Sequence, residues 1–383
     1  MHAVEVLQSH LRNRPAQLRR LKDNGVKIIG YFVGDYVPEE LIYASGAVPL
    51  CLCHGGNPMP ADAALSSMTR FLCPFARALY GERLLKEQPY YELIDMLVVP
   101  ITCQHLRRAG DAWDYYTGTK VFRFGIPHEY DSDSGLSYYI GMSRLLKDSL
   151  EEFTGNEITD EKIKEAIDLY NKMRERLKEI SLVRKESQPP ITTLDFIKLN
   201  HASFYADPSF IVDILGSLCQ QLRGEGKEAT TSDAPRLLLV GPNLAYGDYK
   251  ILELAEEAGG MIVAEEICEG VRFYWENVES NGDLIQVLAK KYLRDRLPCA
   301  FMRESAKKRL DFIVKLAREF NVAGVIWYQL QYCDTYDIES YFFAQQMEKI
   351  GLRMLKLESD YNILDRGPLA TRIETFIESL RGR

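Results

Sequence analysis

Apolar positions along the chain fall into short continuous runs that alternate with longer stretches of helical spacing. Val4, Leu7, Leu11, Leu18 and Leu21 recur at helical intervals, which predicts a helical lead-in over residues 1–24. Lys27-Ile28-Ile29-Gly30-Tyr31-Phe32-Val33-Gly34 then reads as a strand bounded by turn residues. Pro38 opens a helix, Glu39 to Ala44, with carboxylates in the first turn where the helix dipole favours them. Gly46 ends it, and Val48 to Cys53 is the next strand. Helices starting at Pro74, at Cys103 and at Leu136, with strands over Asp95–Thr102 and Lys120–Ile126, continue the alternation. Strand and helix in turn imply a largely parallel sheet.

Between about 158 and 226 the period becomes helical throughout. Ile158 to Lys185 forms a long charged amphipathic helix, Pro189-Pro190 breaks it, and Asp195 to Arg223 holds further helices. The polar stretch Gly224 to Asp233 (GEGKEATTSD) reads as a linker. A second series follows: strands at 236–241, 261–264, 324–330 and 352–357, and helices at 248–258, 283–294, 305–320, 338–350 and 369–380. The expected fold class is α/β, with two doubly wound, flavodoxin-like or Rossmann-like, parallel-sheet domains and a helical insertion between them. The expected boundaries are a lead-in at 1–24, a first α/β domain at 25–157, a helical segment and linker at 158–233, and a second α/β domain at 234–383.

Charge narrows the partners. Against 47 Lys and Arg stand 55 Asp and Glu, a net −8, which argues against nucleic acid or an anionic membrane surface. No apolar run approaches the roughly 18–20 residues of a membrane span, and the N-terminus lacks the basic start and apolar centre of a signal peptide. A cytoplasmic location is the expectation. In a reducing compartment disulfides are rare, so the eight cysteines point to metal or redox chemistry.

Their placement points the same way. Cys53, Cys73, Cys103, Cys268, Cys299 and Cys333 each sit where an apolar run has ended or a helix begins. A thiol at the carboxyl end of a strand faces the crevice where open α/β sheets bind ligands. A thiol before a helix, as at Cys73-Pro74, meets backbone N–H groups that favour its thiolate. Cys219, between Leu218 and Leu222, reads as core, and Cys51 lies deeper in its strand than Cys53. Zinc knuckles pair ligands as C-x2-4-C, whereas the one local pair is Cys51-x-Cys53. Zinc, simple burial, a thiol–imidazole pair with His54 or His105, and an iron–sulfur cluster held from distant segments all remain open on these residues. The Gly55-Gly56 pair frees the backbone for the close approach of another group.

Gly34 to Gly56 (GDYVPEELIYASGAVPLCLCHGG) resembles the signature of the 2-hydroxyacyl-CoA dehydratase and benzoyl-CoA reductase superfamily. The similarity continues through Leu72-Cys73-Pro74, Thr102-Cys103 and Gln331-Tyr332-Cys333-Asp334-Thr335-Tyr336-Asp337, and so spans essentially the whole chain. Leu52-Cys53-His54-Gly55-Gly56, Glu266-Ile267-Cys268-Glu269-Gly270 and Pro298-Cys299 resemble the motifs of its double-cubane branch. The resemblance implies one cubane on Cys73, Cys103 and Cys333, and a second on Cys53, Cys268 and Cys299. His54 departs from the branch pattern, as does Gln104-His105-Leu106-Arg107 after Cys103.

The function so implied is ATP-dependent, low-potential reduction of small molecules by an iron–sulfur reductase component with a double-cubane [8Fe-9S] cluster. The alternative is a subunit of a 2-hydroxyacyl-CoA dehydratase, a lyase, carrying a single [4Fe-4S] cluster. The chain has no G-x-x-x-x-G-K-[ST] phosphate loop. The resemblance accordingly implies a separate ATP-hydrolysing iron–sulfur activator as electron donor, and a homodimer. Small substrates are expected near His54 and the Gly55-Gly56 turn, with Arg77, Arg107, Arg108 and Arg272 offsetting cluster charge.

Overall fold

A computed structural model describes residues 2–34, 36–224 and 233–381. The lead-in is helix α1 (His2–Asp23), and the first half then runs β1 (Ile28–Phe32), α2 (Glu39–Ala44), β2 (Val48–Leu52), α3 (Pro58–Ala63), α4 (Pro74–Leu85), α5 (Pro89–Glu92), β3 (Met96–Ile101), α6 (Gln104–Thr117), β4 (Lys120–Gly125) and α7 (Asp133–Thr154). Three helices follow: α8 (Asp160–Leu182), α9 (Thr193–Ser203) and α10 (Pro208–Gly224). The second half runs β5 (Arg236–Val240), α11 (Lys250–Glu257), β6 (Met261–Glu266), α12 (Val271–Tyr274), α13 (Leu284–Lys290), α14 (Ser305–Glu319), β7 (Gly324–Leu330), α15 (Asp334–Lys349), β8 (Arg353–Ser359) and α16 (Arg366–Arg381). The expected linker at Gly224–Asp233 falls almost wholly outside the described residues.

The strands form two parallel four-stranded sheets, ordered β2-β1-β3-β4 and β6-β5-β7-β8. The order is the same in both halves, so the α/β expectation of two doubly wound sheets holds. The first strand of each half is largely hydrophobic, IIGYF in β1 and RLLLV in β5, as strands covered by helices on both faces require. In each sheet the chain reverses its direction of travel between the first and third strands. Ligand crevices open at such switch points. The short helices α3, α5 and α12 are not legible in the apolar pattern, because each holds only four to six residues. Among the described residues no helix is long and apolar enough to cross a membrane.

Two features join the halves. The first is a brace of buried charge. Arg174 on α8 donates to Glu40 on α2 at 2.5 Å, and Arg184, just beyond α8, donates to Glu265 on β6 at 2.7 Å. All four side chains are wholly buried, so α8 and the turn after it are tied by ion pairs to α2 of the first half and to β6 of the second.

The second is a backbone clasp. Cys53 C=O accepts from Tyr246 N–H at 2.8 Å, and Gly55 N–H donates to Tyr246 C=O at 3.0 Å. A Cβ on Gly55 would lie 2.6 Å from Ala245 Cβ, and one on Gly56 would lie 2.5 Å from the Gly247 carbonyl. Gly56 also has φ +80°, where only glycine is unstrained. The paired glycines thus admit the second half of the chain itself. They leave no open turn for a substrate.

Asp248 ends the clasp, wholly buried, accepting from Tyr328 O–H at 2.8 Å. Burial pushes its carboxyl up to about 6, against the opposing pull of the Tyr328 hydrogen bond and Lys250. A carboxyl raised on folding gives stability that is complete below the unfolded value near 4 and lost as pH rises through 6. Asp248→Asn is expected to stabilise the protein by about 1–3 kcal/mol at pH 7.5 and to leave stability at pH 4 unchanged. Urea unfolding at the two pH values checks this, and an equal shift at both would contradict the linkage.

Candidate functional site

The carboxyl ends of the two switch points face one cleft of about 370 Å³. Val33 and Gly34 after β1, Thr102 and Cys103 after β3, Pro242 and Asn243 after β5, and Tyr332 and Cys333 after β7 line it. Cys73, Cys268 and Cys299 complete the wall. Five of the six expected thiols are therefore brought together from both halves. Among the described residues no three His, Cys, Asp or Glu side chains converge closely enough to hold a single metal ion. The thiols are distributed around a cavity instead.

Three of the five begin helices. Cys73 precedes Pro74, the first residue of α4, because proline needs no N–H partner in a first turn. Cys103 caps α6, its Sγ accepting from Leu106 N–H at 3.5 Å, and Cys333 stands at the start of α15. Burial raises the Cys73 thiol to about 12, opposed by the N–H groups of Ala76 and Phe75. Burial likewise raises Cys103, and it pushes Cys333 well up, with the charges of Cys73 and Cys103 adding to the rise. Each thiolate in this trio disfavours the others. A cation bound among them reverses that sign and holds all three deprotonated.

Cys268 and Cys299 sit in a different field. Arg272, buried on α12, donates to Cys268 Sγ at 3.2 Å and is held by Glu266 at 2.5 Å. Arg309 on α14 reaches Glu266 and Glu339, and Tyr336 O–H lies 3.8 Å from Cys299 Sγ. A hydrogen bond from Cys268, with Arg272 and Arg309 outweighing burial, holds the Cys299 thiol well below the usual range. Cys299 N–H also donates to Tyr36 O at 3.0 Å. Arg309, Tyr336 and Tyr36 are invisible to sequence reasoning, in which a lone arginine or tyrosine carries no spacing signal. Of the arginines expected to offset charge, Arg272 does stand against a cleft thiol. Arg77 braces the Cys73 turn through Leu72 C=O, while Arg107 and Arg108 face solvent.

Cys53 does not line the cleft. It is wholly buried at the clasp, its N–H donating to Tyr205 O at 3.1 Å and its Sγ 3.6 Å from the same oxygen. His54 lies beside it, Nδ1 2.7 Å from that hydroxyl and packed against Tyr91 and Tyr246. Burial lowers His54 to about 3, so it is neutral at any physiological pH. Cys51 is buried within β2, paired in register with Tyr31, and Cys219 is buried on α10 with Sγ 3.7 Å from Arg176 O. His105, by contrast, does line the cleft, and its Nδ1 accepts from Cys73 N–H at 3.2 Å.

A model of the 2-hydroxyglutaryl-CoA dehydratase D-component family matches residues 35–380. YjiM of Escherichia coli strain K12, named provisionally as a dehydratase subunit, is 27% identical over 94% of this chain and 93% of its own. The beta subunit of (R)-2-hydroxyglutaryl-CoA dehydratase from Acidaminococcus fermentans is 25% identical over 98% of both chains. One of the subunits of benzoyl-CoA reductase from Thauera aromatica is 22% identical over 98% of this chain and 97% of its own.

Proposed function

Since this chain belongs to the 2-hydroxyglutaryl-CoA dehydratase D-component family, we propose that it is an iron–sulfur reductase component holding its cluster in the five-thiol cleft. Its relatives are components of reductases and of dehydratases. What favours the reductase is that Cys268 and Cys299 share the cleft with Cys73, Cys103 and Cys333. Three thiols suffice for one cubane of the kind the family resemblance implies. Two further thiols, set against buried guanidiniums, supply two of the three that a second needs.

An iron–sulfur group bound there supplies electrons at low potential. The chain's own residues hold the conditions for that. The helix starts behind Cys73, Cys103 and Cys333 direct backbone N–H groups at the sulfurs. Arg272 and Arg309 offset charge at the opposite corner. Phe75, Ile101, Leu106 and Phe301 restrict water. At the Cys73 and Cys333 turns Phe71 and Tyr332 are exposed with rings 6.0 Å apart, and α15, which begins after Cys333, exposes Ile338 and Tyr341. These exposed side chains support docking of a separate ATP-hydrolysing electron donor, and a second copy of this chain completes the proposed homodimer.

The second reading is a dehydratase subunit with one cubane on Cys73, Cys103 and Cys333. The position of Cys53 outside the cleft supports it, because a double cubane needs a sixth thiolate. Anaerobic iron and sulfide analysis separates the two: about eight irons per chain supports the reductase and about four the dehydratase subunit. Protein that takes up no iron on reconstitution overturns both. Cys51→Ser and Cys219→Ser are expected to leave the iron content unchanged, and a loss at either would place a ligand outside the proposed set. Cys53→Ser lowers it only if the sixth thiolate swings in from the clasp.

A further inference from the structure

One buried side chain of the cleft addresses both groups of thiols. Tyr336 lies in the first turn of α15, just after Cys333, and it lines the cleft at 1% exposure. Burial raises the Cys333 thiol, and the Tyr336 N–H opposes that rise. The hydroxyl of the same residue reaches the other group. Its oxygen lies 3.8 Å from Cys299 Sγ, within the reach of a sulfur hydrogen bond. A hydrogen bond from Cys268 is the largest influence lowering the Cys299 thiol, and the Tyr336 hydroxyl adds to it.

The ring is held by what packs against it. Arg309 Cζ lies 4.7 Å and Arg272 Cζ 5.4 Å from its centre, with the Trp327 ring centre 5.7 Å away. Both guanidiniums are fixed in turn: Glu266 accepts from each, and Glu339 accepts from Arg309. Cations packed against a phenol ring withdraw electron density from it and make its O–H a stronger donor. Packing alone needs only the ring, which phenylalanine supplies. A buried hydroxyl needs a partner as well, and here that partner is a ligand-type sulfur.

We propose that Tyr336 is a positioning residue that sets the reduction potential of the bound iron–sulfur group, by donating its hydroxyl hydrogen to the Cys299 sulfur. The assignment rests on the iron–sulfur reading of the cleft. A thiolate that ligates metal has no proton to give, so the phenol is the donor. Hydrogen bonds to the sulfurs are among the factors that set such a potential. Reduction adds negative charge, and the ligand sulfurs carry part of it. The hydrogen bond is therefore stronger in the reduced state, and it eases reduction.

Full-length wild type and Tyr336→Phe are reconstituted anaerobically and their iron is counted. Each is then titrated against mediator dyes of known potential, followed by electron paramagnetic resonance. Iron content is expected to be equal. Reduction of the variant should be roughly tenfold less favourable, the lower end of what outer-shell partners are worth at metal sites, or about 59 mV more negative for one electron. In a Cys299→Ala background the phenol has no sulfur to meet, and the same substitution should leave the potential of the remaining group unchanged. An unchanged or raised potential in Tyr336→Phe with its iron intact overturns the assignment, and so does loss of its iron, which would make the residue a structural support. An equal shift in the Cys299→Ala background overturns the route through Cys299. Wild-type protein that takes up no iron overturns the iron–sulfur reading itself.

Discussion

Cys333→Ala is expected to lower the iron content of anaerobically reconstituted protein at least tenfold. Its sulfur completes the trio with Cys73 and Cys103, whose charges act on it directly. Outer-shell changes alone cost a metal site roughly 10–100-fold in affinity, and removal of a ligand exceeds that. The fold should survive, because the thiol is half-buried at the start of α15 and its loss opens only a small gap. Unchanged far-ultraviolet circular dichroism with lost iron is the predicted pair of results. Retention of iron would exclude the trio as the site. Cys268→Ala carries the companion information: it should halve the iron if two cubanes are present and leave it unchanged if there is one.

Arg184→Leu is expected to destabilise the protein by about 3–5 kcal/mol, the cost of stranding a buried charge. Arg184 donates to Glu265 at 2.7 Å, to Thr193 at 2.9 Å and to Ser181 Oγ at 2.6 Å, and its guanidinium lies 4.1 Å from the Phe196 ring centre. Without it Glu265 keeps only the Tyr274 hydroxyl. The double variant Arg184→Leu/Glu265→Leu should recover most of the loss, since no uncompensated charge remains. Urea titrations of the wild type, the single variants Arg184→Leu and Glu265→Leu, and the double variant measure the cycle. A single-variant loss below about 1 kcal/mol would show that the pair does not anchor α8 to the second sheet.

The strands, the parallel sheets and five cleft thiols are legible in the sequence because they are local properties. A continuous apolar run is a buried strand wherever it lies, and the residue after it stands at the crevice end. Cys53 obeys the same local rule, and the structure places it elsewhere. Its carbonyl accepts from Tyr246, nearly two hundred residues away in the chain, and no periodicity records that contact. The glycines after it do make room, but the occupant is the chain's own second half. Buried arginines are the other illegible element. Arg174, Arg184 and Arg309 look like solvated charges in the sequence, and only their pairing with Glu40, Glu265 and Glu266 makes burial tolerable.

The clasp also sets a timetable for biosynthesis. Cys73 and Cys103 leave the ribosome long before Tyr246 can pair with Cys53 and Gly55, and longer still before Cys333 exists. At ordinary elongation rates the interval from Cys103 to Cys333 is roughly 10–50 s. Through it the nascent first sheet presents two thiols and an uncovered glycine turn with nothing to close over them. Under the proposed function, loading of the cleft is in consequence a late event, confined to a chain that already holds Cys333, and it requires the early thiols to stay reduced until the last strands arrive.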